Sequence, residues 1–199
     1  MDSSAAARGM SPSPPNPERL LLALDERLDH SVRLIIYGRS ALWLGFDNPP
    51  DAAAVTQDVD GIIPADEVEA VSNDMQFWDA RDGVNEHFKS AGLYITHLFP
   101  ESEVFLRRDW LANILPITRL NPCRLRLFRP ATIDLVLTKM MRGNDEQDMA
   151  DAGFMIDHDR ITQADLHEAF LQMKPIELGE LRDAFQRAKP VVLKLARIG

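Results

Sequence analysis

The sequence predicts an α/β (α+β) protein, with a sheet-bearing core over residues 17–129 and an all-helical region over 130–199. Three observations predict it. Short apolar runs, among them Leu34-Ile35-Ile36-Tyr37 and Ile62-Ile63, alternate with stretches where apolar residues recur at helical spacing. The texture changes at Pro130, after which every segment carries a helical pattern. Hydrophobic residues make up 45% of the 199, enough to build a sizeable core in one domain with a helical appendage.

Each element has a local reason. Residues 1–16 are rich in Ser, Ala and Pro, and read as a disordered tail. Pro17 opens a helix whose apolar stripe is Leu20, Leu21, Leu24 and Leu28. The run 32–37 is a strand, and 40–44 starts a second helix. Residues 45–54 carry two prolines and read as a loop. A strand follows over 57–63, then a helix from Pro64 to about residue 71. A longer helix covers 75–91 and is ended by Gly92. Residues 93–99 and 123–128 read as strands, and 104–106 as a short one after the turn at Pro100. Helices are expected over 131–141, 146–157, 163–173 and 177–198, with Thr132 and Thr162 as N-caps.

Composition narrows the function. The net charge is −9, against general nucleic-acid affinity and sequence-specific DNA binding. Against that balance, residues 107–129 hold six arginines and one acid, Asp109. They form either an electropositive rim for a triphosphate or an RNA end, or a solvated strand. The lone Cys123 excludes a disulfide framework and a Cys-type zinc site, and reads as a small buried group in a reducing cytoplasm. No apolar run approaches the ~18 residues a membrane span needs, and no secretory leader pattern is present.

Two motifs carry chemistry. Gly38-Arg39-Ser40 follows a strand and opens a helix, the arrangement of a phosphate cradle built from backbone N–H groups and a hydroxyl. Asp58-Val59-Asp60 lies on the next strand, where period two puts both carboxylates on one face. Two aspartates together with triphosphate oxygens form a donor set suited to Mg²⁺. Nucleotidyl transfer needs those parts, because charge builds on the phosphoryl oxygens as pyrophosphate leaves. The competing reading of Gly38 and Ser40 is an ordinary strand–helix turn, and of the acids a solvated strand face.

The stretches IIYGRSAL and VTQDVDGII resemble the GGSxAL…TxDxD core of the nucleotidyltransferase (DNA polymerase β-like) fold. More narrowly they resemble AbiEii toxin-like bacterial nucleotidyltransferases and their uncharacterised relatives. Residues 130–142, PATIDLVLTKMMR, are similar to that family's peDLialKLxAxR helix, and Asp148-Met149-Ala150-Asp151-Ala152 to its kDlxDi segment. The resemblance implies a mixed-sheet nucleotidyltransferase core with a C-terminal helical bundle. It implies that Gly38, Arg39, Ser40, Lys139 and Arg142 bind the nucleotide, and that Asp58 and Asp60 hold Mg²⁺. Asp148 becomes the candidate catalytic base, with Asp151 as a structural neighbour.

Departures from the family pattern are specific. Arg39 replaces a small residue and either pairs with a phosphate or crowds the cradle. The third carboxylate expected on the strand after the D-x-D is missing; His97 lies there, with Glu101 and Glu103 beyond it. The implied function is nucleotide transfer from an NTP to an RNA or protein hydroxyl, in a toxin paired with an antitoxin. The alternative is a catalytically impaired nucleotide-binding or protein-interaction module of the same fold.

Overall fold

The computed structural model describes residues 14–174 and 179–197. Most of the tail predicted over 1–16, and the ends of the helix predicted over 177–198, lie outside the described residues. The chain is a mixed α/β protein built on one five-stranded sheet.

Helix α1 (Asn16–Arg27) buries Leu20, Leu21 and Leu24 along one stripe. Strand β1 (Val32–Tyr37) then leads directly into α2 (Gly38–Gly45). A four-residue helix, α3 (Asp51–Ala54), precedes β2 (Asp58–Ile63). Helices α4 (Val68–Asn73) and α5 (Met75–Phe88) connect to β3 (Tyr94–Pro100). After β4 (Leu115–Pro116) and β5 (Leu125–Arg129) come α6 (Thr132–Lys139), α7 (Glu146–Asp159), α8 (Gln163–Gln172) and α9 (Gly179–Leu195).

The strand order is β3-β2-β1-β5-β4. β1 runs antiparallel to β2 and parallel to β5, β3 is parallel to β2, and β4 is antiparallel to β5. Both faces are covered. Leu34, Ile36, Val59, Leu125 and Leu127 join the main core, which extends through Leu135, Met155 and Val192. The C-terminal helices therefore close over the same apolar interior as α1. On the other face Ile35 and Ile62 pack with Val104, Leu106 and Trp110. No described helix is long and apolar enough to cross a membrane.

One acid ties distant parts together. Asp25 on α1 accepts the N–H groups of Cys123, Arg124 and Leu125 at 2.8, 2.6 and 2.7 Å, fixing the start of β5. Burial alone would raise its pKa; the three N–H donors outweigh that and hold it below the usual carboxylate range.

Several expectations are corrected. The 45–54 loop contains α3. The helix expected from Pro64 begins at Val68, after a turn closed by Glu67 N–H on the Pro64 carbonyl. Residues 104–106 form no strand; they are an extended cover over the sheet, ending in an isolated bridge between Arg107 and Met173. Thr162 caps α8 within a capping box closed by Asp165, but Thr132 is the first residue of α6, with Ala131 at the cap position. Cys123 is exposed rather than buried, with only its backbone N–H tied down, by Asp25.

Candidate functional site

A cleft of about 680 Å³ opens where β1 meets α2, and faces the end of α6 and the start of α7. Its floor follows from sheet register. Tyr37 pairs with Asp60, so the β1–α2 turn lies beside the second acid. Gly38 takes φ +67°, a left-handed conformation that side chains rarely adopt, and a Cβ there would sit 3.7 Å from Asp60 Oδ2. Asp58 and Asp60 share one face of β2, while Val59 points into the main core. Thr56 Oγ1 donates to Asp58 Oδ1 at 2.9 Å, and the Thr96 hydroxyl on β3 donates to Asp60 Oδ1. The Tyr37 phenol is held protonated well above its ordinary range, first by burial and then by the charges of Asp60, Asp58 and Glu103. It also meets Phe99 edge to face at 6.1 Å.

The facing wall is ionic. Lys139 is buried, and its Nζ lies 2.6 Å from Asp151 Oδ2 and 3.1 Å from Asp148 Oδ1. Arg142 Nε holds Asp148 Oδ2 at 2.6 Å, and its Nη2 reaches Asp145 Oδ1 at 3.4 Å. Asp145 caps α7 through the Asp148 N–H at 3.0 Å. Arg39 Nε lies 3.4 Å from Asp151 Oδ2, which links α2 to this wall. Burial alone would raise the Asp148 pKa, but Arg142 and Lys139 hold it below the usual carboxylate range.

Gly38, Arg39, Asp58, Asp60, Lys139, Arg142 and Asp148 thus all line one cleft, although 110 positions separate the first from the last in the chain. Three expected roles change. Ser40 does not line it: the residue is buried, and its Oγ donates to the Asp58 carbonyl at 2.7 Å. Lys139 is turned into a carboxylate pair rather than out to a phosphate. Asp148 has both oxygens engaged by cations, which makes it a weak proton acceptor.

The donor set fits a hard cation in part. Asp58 and Asp60 supply two carboxylates facing open volume, the share of ligands that proteins commonly give Mg²⁺ when phosphate oxygens supply the rest. Among the described residues no group of three or more His, Cys, Asp or Glu could hold a metal. Thr96 stands beside Asp60 on the neighbouring strand, where a third acid was sought. Glu101 is engaged elsewhere, by Lys174 at 2.6 Å and Trp110 Nε1 at 2.7 Å. The His97 side chain lies outside the described residues. Thr56 and Thr96 were missed from sequence. Only the pairing of β2 with β3 gives Thr96 a place in the site.

The arginine-rich segment does not form one face. Arg107 grips Asp134 (Nη2 to Oδ2, 2.8 Å), and Arg129 is buried with its guanidinium 4.2 Å from the Phe46 ring centre. Arg119 stacks over Trp43 at 5.1 Å, and Arg108, Arg124 and Arg126 are exposed. No protein-family model, curated protein or solved structure matches the chain.

Proposed function

We propose that this chain is a Mg²⁺-dependent nucleotidyltransferase-like protein that moves a nucleotide from an NTP to a hydroxyl on an RNA or protein. The observation that carries this reading is the convergence of Gly38, Asp58 and Asp60 on one open cleft. Asp58 and Asp60 would hold the cation, which when bound neutralises charge on the phosphoryl oxygens. Gly38 lets the backbone approach the ligand without a side chain in the way. The first turn of α2 would present backbone N–H groups to anionic oxygens, and burial with the nearby carboxylates favours the protonated Tyr37 hydroxyl, which can donate. The acceptor hydroxyl attacks the α-phosphorus, the α–β phosphoanhydride bond breaks, pyrophosphate leaves with its electron pair, and the hydroxyl proton passes to solvent. A cytoplasmic setting and an antitoxin partner belong to the same proposal.

Incorporation of α-labelled NTP into cellular RNA or protein tests it. The wild type labels an acceptor and Asp60→Ala does not; equal labelling by both overturns the reading. A second reading, a nucleotide-binding or interaction module without turnover, is favoured by the doubly paired Asp148. Mg·NTP binding without labelling by any acceptor pool selects it.

A further inference from the structure

Of the three cations that line the cleft, one is loosely held. Lys139 touches two carboxylates, at 2.6 and 3.1 Å, and Arg142 holds Asp148 at 2.6 Å. Among the described residues Arg39 has a single ion pair, at 3.4 Å to Asp151 Oδ2. Its Nε and Nη2 are sealed from solvent, yet neither has a hydrogen-bond partner among the described residues. Unpaired buried donors are costly, more so on a charged group. Asp151 does not depend on Arg39, since it accepts Lys139 at 2.6 Å and Gln147 Nε2 at 3.1 Å. Moving the guanidinium therefore breaks no hydrogen bond and leaves no carboxylate bare. About a quarter of the side chain is exposed where it lines the cleft, one residue along from Gly38.

We propose that Arg39 is the anion-binding arm of this cleft. Its guanidinium leaves α7 and grips the distal phosphates of a polyphosphate, whether carried by a nucleoside or free. The planar fork matches phosphate oxygens two at a time, which a lysine cannot do. The Lys139–Asp151–Asp148–Arg142 wall stays intact behind it. Gly38 lies beside Asp60 and Arg39 is the next residue, so the arm requires a ligand whose phosphates continue past the one beside Asp60. That requirement selects tri- and diphosphates over monophosphates. The identity of the ligand as a nucleotide rests on the reading given under Proposed function.

Calorimetric titration of the full chain in Mg²⁺ tests it, with inorganic tripolyphosphate and adenosine monophosphate as probes. The wild type binds tripolyphosphate, and Arg39→Ala weakens that binding at least about tenfold while leaving the monophosphate unchanged. Arg39→Lys recovers part of the loss. Where Arg39→Ala does not fold, Arg39→Gln, which keeps the aliphatic stem, gives the same reading. No tripolyphosphate binding by the wild type overturns the proposal. So does a folded variant that binds it normally, or one that loses both probes equally. The two readings fail separately: Arg39-dependent tripolyphosphate binding without NTP labelling sinks only the transferase. Asp60-dependent labelling with Arg39-independent tripolyphosphate binding sinks only the arm.

Discussion

Ser40 Oγ donates to the main-chain carbonyl of Asp58 across 2.7 Å, so the turn that begins α2 is bolted to the strand that carries the acids. Ser40→Ala leaves that carbonyl without its buried donor and lowers stability by about 1–3 kcal/mol. Urea unfolding measures the loss. Mg·NTP affinity of the folded variant is unchanged, because the hydroxyl does not face the cleft.

Lys139 is the hub of a buried ionic cluster, and its removal leaves Asp148 and Asp151 facing each other with less compensation. Lys139→Met destabilises by about 3–5 kcal/mol, the range for stripping one partner from a buried pair. Adding Asp151→Asn to that variant recovers part of the loss in the same unfolding assay, since one orphaned charge is then gone.

Asp148 gives the fold an acid limb. Its pKa is lowered in the folded chain, so the folded state favours the ionised form. That contribution is present in full above the unfolded aspartate value of about 3.9. It is lost as pH falls from there through the lower folded value. Asp148→Asn flattens the fall in stability below about pH 4 that the wild type shows in acid unfolding. An unchanged acid limb would falsify the assignment.

Glycines 38 and 61 separate backbone strain from crowding. At Gly61 a Cβ would meet Leu98 Cδ2 at 2.5 Å and Leu34 Cδ1 at 3.2 Å, so Gly61→Ala overpacks the core by about 1–3 kcal/mol. At Gly38 the nearest atom is 3.7 Å away, and Gly38→Ala costs about 1–2 kcal/mol through its left-handed φ alone. Thermal melts of the two variants, with a compensating Leu98→Ala beside Gly61→Ala, distinguish the causes. The second change rescues only the crowded site.

Strands β1, β2 and β3 were legible because each is an apolar run closed by Gly or Pro, and Gly92 ended its helix in the left-handed conformation expected of it. Strand β4 was not, since two residues carry no period. Val104 and Leu106 look like strand residues because they are buried, but they cover the sheet instead of joining it. In the site, Asp58 and Asp60 share a face by simple alternation. The Lys139–Asp151 pair was invisible because it joins two helices through a turn of unknown angle. Asp25 was not singled out from the sequence, because only β5 arriving alongside makes it an acceptor of three N–H groups.

The parallel pairing of β1 with β5 has a consequence for synthesis. Val32 lies opposite Leu125, and the Asp25 contact to Leu125 spans 100 positions of chain. As the polypeptide leaves the ribosome, β1 emerges with one edge unfilled until β5 follows it. Products truncated before Leu125 expose that edge as a template for other chains, and those fragments, not the finished protein, are where aggregation begins.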